Sequence, residues 1–259
     1  MNTKIIAIYL PQYHEVEENN IWWGKGHTEW SHVRKAIPLF RGHYQPRIPL
    51  NKDYYDLSDH SVLQKQARLA HEHGIHGFCF YHYWFTGKKL LHKPLEAMLR
   101  AGTPDFPFCL SWANHNWINK VQRKGRQILI KQEYGNEDNW KEHFQYLLQY
   151  FSDKRYIRVD GRPLFVIHDP VRIPCFEQMR AVWDKMAREA GLDGLYYVNT
   201  LKFRGDAEFS VKANFDAQME YFPSYALHVP YGSFFSKKVL LKFWRLACRD
   251  VLRKTVSNK

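Results

Sequence analysis

The chain has 259 residues, 45% of them apolar and 25% charged, which are the proportions of an ordinary globular protein with length enough for a sizeable core in one domain. No run is long or apolar enough to span a bilayer, and the four cysteines (Cys79, Cys109, Cys175, Cys248) are scattered, which points away from a disulfide scaffold and toward free thiols in a reducing compartment. Net charge is +12, but the stretch from Lys237 to Lys259 holds eight Lys or Arg and a single Asp, so the basicity belongs mainly to the tail and points to a membrane surface or an anionic partner rather than to nucleic acid.

In chain order, a first apolar strand from Lys4 to Leu10 is too short for a secretory h-region and runs into Pro11, so a cytoplasmic protein is expected. A long connection rich in Trp, Gly, His and Pro follows to about Leu57, and a loop of that length in a compact domain is usually functional. A helix from about Asp59 to His73 is capped by Ser58 or Asp59 and stopped by Gly74, with Leu63, Ala67 and Ala70 on one face. Strands at Gly77–Trp84 and Phe106–Ala113 come next, then a helix from Glu137 to Phe151 with the clearest 3.6-residue stripe in the chain. A strand at Leu164–His168, a helix at about Glu177–Ala190, and strands at Leu195–Thr200 and Phe215–Tyr221 complete the alternation. Such alternation predicts parallel βα units. Six units are counted, so the expected fold is a (β/α)8 TIM-barrel-like α/β domain, incomplete, followed by one basic helix at about 237–254. The whole of 1–259 reads as a single domain.

In such a barrel the chemistry gathers at the C-terminal ends of the strands. Those ends are polar and aromatic here. The first leads to His14 and, along the connection, to Trp23 and Trp30. The second carries Tyr81, His82, Tyr83 and Trp84, and the third carries Trp112, Asn114, His115 and Trp117. The fourth ends in His168-Asp169 and the sixth in Glu220-Tyr221. Aromatic residues make up 16% of the chain. Flat rings suit the C–H faces of sugars, and His, Asn and Tyr suit their hydroxyls. Any single His or Tyr at a strand end is ordinary structure; the weight lies in their agreement. Glycosyl chemistry normally needs two carboxyl groups, and Glu29, in Thr28-Glu29-Trp30, and Glu220 are the candidates at site positions. No metal is expected, because His71 and His73 lack the i, i+4 spacing of a helical metal pair. No Gly-rich phosphate loop is present, and no cofactor is expected. The basic terminal helix has Leu240, Phe243, Trp244, Ala247 and Val251 along one side, as in a helix lying on an anionic membrane or one covering a barrel.

Several motifs carry a family resemblance. Tyr9-Leu10-Pro11-Gln12-Tyr13-His14, Trp22-Trp23-Gly24, Thr28-Glu29-Trp30, Gly42-His43-Tyr44-Gln45-Pro46-Arg47 and the two aromatic strand ends at 77–85 and 107–114 resemble the WbsX-type glycosyltransferase family. So does Asp153-Lys154-Arg155-Tyr156-Ile157 with Gly161-Arg162-Pro163. That family is similar to glycoside hydrolase family ninety-nine, whose members are metal-independent, retaining endo-mannosidases. The resemblance spans about residues 4 to 221 and implies a role in bacterial O-antigen, lipopolysaccharide or capsule biosynthesis, by glycosyl transfer or hydrolysis. It implies as partners a glycan, or a lipid-linked glycosyl donor or acceptor, in the cytoplasm or at the periphery of the inner membrane. The sequence departs from the family at two places. The Asn-Glu-Trp-x-Glu-Gly stretch that holds the family's carboxylate pair does not occur, and His115 stands where the third-strand motif has Glu. Two other readings follow from these departures. One is a truncated or split homologue complemented by another polypeptide. The other is a non-catalytic glycan-binding or scaffold protein at the inner membrane.

Overall fold

The computed structural model of the protein describes residues 3–119 and 127–228. The chain enters through β1 (Ile5–Tyr9). The long connection after it holds two short helices, α1 (Glu17–Trp23) and α2 (Glu29–Arg34), before α3 (His60–Glu72) leads to β2 (Ile75–Phe85). β2 turns into a hairpin with β3 (Lys88–Leu90), and α4 (Lys93–Ala101) leads to β4 (Phe108–Trp112). A second hairpin, β5 (Trp117–Asn119) with β6 (Gln127–Ile130), precedes α5 (Glu137–Phe151). The short β7 (Arg158–Val159) pairs with β8 (Arg162–Ile167). Then come α6 (Phe176–Glu189), β9 (Tyr196–Leu201), α7 (Asp206–Lys212), β10 (Ala217–Glu220) and α8 (Ser224–His228).

Six strands make one parallel sheet in the order β1-β2-β4-β8-β9-β10. Strand order follows chain order without the reversal that defines a doubly wound sheet, and the sheet curls into a half-barrel of the TIM type. The six strands expected from sequence are therefore present, with ends shifted by one or two residues. The elements not anticipated are the short ones: α1, α2, α4, α7, α8 and the antiparallel strands β3, β5, β6 and β7. α4 is only nine residues long with Pro94 in its first turn, and α1 and α2 lie in a Trp- and His-rich run with no helical stripe. The basic helix expected at 237–254 lies outside the described residues. Among the described residues no helix is long and apolar enough to cross a membrane.

The long helices follow from their caps and stripes. Asp59 caps α3 by accepting from Ser61 N–H at 2.9 Å, and Gly74, at φ +78°, ends it. Asn136 and Asn139 exchange hydrogen bonds at the start of α5, which buries Phe144, Leu147 and Phe151 completely. α6 buries Phe176, Met179, Trp183 and Ala187 against the sheet. Each large apolar side chain so buried contributes roughly 1.5–3 kcal/mol.

Side chains alternate between the two faces of a strand. In β2, Phe78, Phe80, His82 and Trp84 face the helices, while Cys79, Tyr81 and Tyr83 face the concave side. Register carries this across the sheet: His82 pairs with Trp112, and Tyr81 with Ser111. On the helix side, the Nε2 atoms of His82 and His143 lie 2.9 Å apart, so one ring donates and the other accepts. Trp84 stacks on His143 at 4.6 Å and 4°, and Trp112 and Trp183 meet its edge. His82, Trp84 and Trp112, expected among the sugar-binding groups, are thus core residues under α5 and α6. Burial pushes the His82 pKa down to about 3, and pushes His143 well below its ordinary range.

Gly77 lets β2 approach the strand beside it. A Cβ there would lie 2.6 Å from the Pro107 carbonyl oxygen and 2.9 Å from Ile157 Cδ1. Gly77→Ala is expected to lower stability by about 1–3 kcal/mol, read as a lower denaturant midpoint with an unchanged slope. The histidine pair makes a second prediction. The folded state holds both rings neutral, so below the ordinary pKa of 6.5 the unfolded chain binds more protons and stability falls with pH. His82 alone is expected to remove about 2 kcal/mol between pH 7 and 5, with the other buried imidazoles acting in the same direction. Urea titrations at the two pH values check it, and equal midpoints would refute a neutral buried pair.

Candidate functional site

The long connection folds back over the C-terminal end of the sheet. Asn20 Oδ1 accepts from the N–H groups of Gly26 and His27, which turns the chain after α1. Thr28 and Ser31 form a capping box that starts α2 at Glu29. Trp30 donates from Nε1 to the Tyr55 carbonyl at 2.8 Å, and its ring packs on Tyr13, Tyr54 and Tyr55. Trp30 therefore anchors the connection and does not line the cavity that this arrangement encloses.

That cavity has a volume of about 290 Å³ and is lined by Gln12, Trp23, His27, Glu29, His32, Tyr83, His115, Asn116, Trp117 and Ile118. Five of the residues singled out from sequence meet here: Trp23, Glu29, Tyr83, His115 and Trp117. Trp117 meets the Tyr83 ring edge-on at 5.1 Å, and Trp23 stacks on His27 at 5.1 Å. Glu29 is the single carboxylate among the described residues of the lining. Burial, with Glu29 and Tyr221 nearby, holds the Tyr83 phenol well above its ordinary pKa. Burial also pushes His27 down, helped by His32 and Lys35. Both groups are thereby kept neutral as hydrogen-bonding partners at neutral pH.

A second group continues from His115 over the concave face. His115 lies 5.5 Å from His168, which lies 5.2 Å from Tyr221 and 6.0 Å from Tyr81. Burial first, then Lys202 and His115, push the His168 pKa down to about 3. Burial and a hydrogen bond with Tyr221 raise Tyr81. Behind these rings, Asp169 bonds Lys202 and Arg172, each at 2.7 Å.

Other expected residues are placed elsewhere. Asn114 is fully buried: Nδ2 donates to the Asp169 carbonyl and Oδ1 accepts from the Asp169 N–H, both at 2.7 Å, so its amide ties two loops together and is not free for a ligand. His14 is 1% exposed and does not line the cavity. Glu220 is exposed and points to the opposite face from Met219 and Tyr221 because strand alternation separates them. The expected pair Glu29 and Glu220 is therefore not brought together. Sequence reading missed Gln12, His27, His32, Asn116 and Lys202. All but Lys202 lie inside or within two residues of motifs already singled out, and Lys202 follows directly on the end of β9. Among the described residues no group of three His, Cys, Asp or Glu could hold a metal ion.

The arrangement is a concave aromatic surface with neutral hydrogen-bonding groups and one carboxylate, at the edge of the sheet where TIM-type proteins place their ligands. The sequence profile described as "Glycosyltransferase WbsX" matches residues 5–247. Two curated proteins of Xanthomonas campestris pv. campestris, from strains B100 and ATCC 33913, both described as "Uncharacterized protein WxcX", are 37% identical to the chain over 220 residues. The matched region covers 85% of this chain but only 31% of those relatives, so the chain spans less than a third of their length. Among solved structures, the GH99 endo-alpha-mannosidase from Bacteroides thetaiotaomicron superposes with a TM-score of 0.54 in complex with BIS-TRIS-propane, at 14% identity, covering 86% of this chain and 60% of that one. Another structure of that enzyme gives 0.52 at 15% identity, with 86% and 62% covered. These superpositions bear out the barrel-type fold. The profile spans the strands and loops that build the cavity, and the chain belongs to the WbsX glycosyltransferase family.

Proposed function

We propose that the chain binds a bacterial surface glycan in the cavity above β2 and β4, and that Glu29 is the carboxyl group that meets the sugar at its glycosidic centre. The observation that carries this reading is the cavity's lining: one carboxylate among Trp23, Trp117, Tyr83 and three histidines. Stacking rings position a pyranose face, imidazole and phenol groups meet its hydroxyls, and a lone carboxyl supplies acid–base work at one point. Both retaining and inverting glycosidases use two carboxyl groups. A complementing polypeptide is one source we propose for a second carboxyl group beside Glu29. Family membership supports a carbohydrate substrate, and surface-polysaccharide assembly on the cytoplasmic side of the inner membrane is the setting we propose. The basic stretch 237–259 would carry the contact with anionic lipid there.

The fold neighbour's endo-alpha-mannosidase activity makes α-linked manno-oligosaccharides the first probe, alongside fragments of the source organism's own surface polymer. Calorimetric titration is expected to show binding that Trp117→Ala weakens about tenfold, the loss of one stacking contact. Glu29→Gln is expected to keep binding within a few fold while lowering any turnover by roughly 10²–10⁴. Absence of binding to every oligosaccharide tested would overturn the reading. Binding without turnover in the unaltered chain would leave a glycan-binding protein in place of an enzyme.

A further inference from the structure

A second cavity lies at the opposite end of the strands, where the sheet begins. Its volume is about 420 Å³, within the range of small-molecule sites. Lys4 reaches it from ahead of β1, His76 from the start of β2, Asp105 from ahead of β4, and Lys154, Arg155 and Arg158 from the segment between α5 and β8. Four separate stretches of chain thus meet at one concavity, and two of them bring its cations: Lys4 from one, and Lys154, Arg155 and Arg158 from the other.

These cations are not equivalent. Arg155 is buried and fully engaged. Its Nε and Nη2 donate to Asp153 at 2.9 and 2.6 Å, Nη1 donates to the Pro104 carbonyl, and Nη2 also donates to the Met98 carbonyl. Arg155 builds the wall. Arg158 is held in place by the carbonyls of Phe151 and Gly161, so its guanidinium is fixed without a carboxylate among the described residues to offset its charge. Lys4 and Lys154 likewise form no ion pair among the described residues, and both are exposed. Asp105 is the one carboxylate in the lining, and Asp153 stands behind it on Arg155. Three positive charges, of which Arg158 is held in place by hydrogen bonds, therefore face one negative charge among the described lining residues of a concave wall, which focuses a positive potential.

His76 reports the same field. The pairing of β1 with β2 slips by one residue between Ile5 and Ile6, so that Ile5 faces Ile75, Ile6 faces Gly77, and His76 is the extra residue of a bulge. Bulges re-aim side chains, and this one belongs to the cavity lining. Burial lowers the His76 pKa and Lys4 lowers it further.

We infer that this N-terminal face holds the phosphate or diphosphate group of a small phosphorylated ligand, bound by Lys4, Lys154 and Arg158 beside His76. A phosphate presents several charged oxygens that can meet three such donors together, whereas a carboxylate offers two. The strands separate this site from the glycan cavity by about 15–20 Å. Its ligand therefore takes no part in glycosidic chemistry at Glu29, and the two proposals stand or fall separately.

Inorganic pyrophosphate, titrated calorimetrically into the whole chain at low salt, is the probe. Saturable one-to-one binding is expected, at least tenfold weaker in the double variant Lys4→Gln/Lys154→Gln. Both lysines are exposed, so the variant should unfold at the same temperature and bind oligosaccharides as before. In the unaltered protein the His76 ring signals in the NMR spectrum should move as pyrophosphate is added. No saturable heat, an unchanged affinity in the double variant, or an unmoved His76 would each overturn the site. Equal affinity for acetate would overturn its assignment to phosphate. Retention on phosphatidylcholine vesicles containing phosphatidic acid, without binding of free pyrophosphate, would assign the charge to a lipid surface and likewise overturn it.

Discussion

Strands of a parallel sheet that stay in register also keep their side chains in step, so one face of the whole sheet is chosen together. Here the choice puts Phe78, Phe80, His82, Trp84, Phe108, Leu110, Trp112, Phe165 and Ile167 against the helices, and leaves Tyr81, Ser111 and His168 to the concave side. The helix-facing set is almost wholly aromatic or branched, and α5 and α6 close over it with Phe144, Leu147 and Trp183 fully buried. That layer also holds a buried side-chain polar contact, the imidazole pair of His82 and His143. A neutral pair satisfies one donor and one acceptor with each other, and the rings of Trp84, Trp112 and Trp183 exclude water around it. The core thus sets the pitch of every strand end, and with it the position of each side chain at the candidate site.

The site itself is built as much by the connection after β1 as by the strands and the loops that follow them. The sheet supplies Tyr83 and, through the loop after β4, His115 and Trp117. The connection supplies Trp23, His27, Glu29 and His32. Its path is held by the hydrogen bond from Trp30 to Tyr55 and by the Thr28–Ser31 capping box. A carboxylate carried on such a connection is placed by hydrogen bonds rather than by a strand, so those anchors matter as much for Glu29 as the residues that touch it.

The strand order and the three long helices were legible because each rests on a local rule. α3 has a cap, a stripe and a glycine stop. α5 has a capping pair and a 3.6-residue apolar period. α6 buries Phe176, Met179 and Trp183 at helical spacing. The short elements are too short to show an apolar stripe and were missed, although α2 has a capping box and α4 a proline in its first turn. For the site, the aromatic runs marked the right strand ends but not the right faces. Tyr81-His82-Tyr83-Trp84 reads as one motif, yet its two-residue period sends alternate members into different environments. Glu220 and Tyr221 divide in the same way at β10. Lys202 was invisible because its importance comes from a partner, Asp169, that lies 33 positions away in sequence.

The clasp between Asn114 and Asp169 has a mechanical consequence. Two hydrogen bonds of 2.7 Å join the loop after β4 to the loop after β8, and Tyr134 bonds the same asparagine. His115 is the next residue on one loop, and His168 precedes Asp169 on the other. The two loops are therefore tied to each other, and Asp169 is tied in turn to Lys202 at the end of β9. A ligand that shifted His115 would bear on His168 and, through Asp169 and Lys202, on the end of β9, a route that runs above the aromatic layer and not through it.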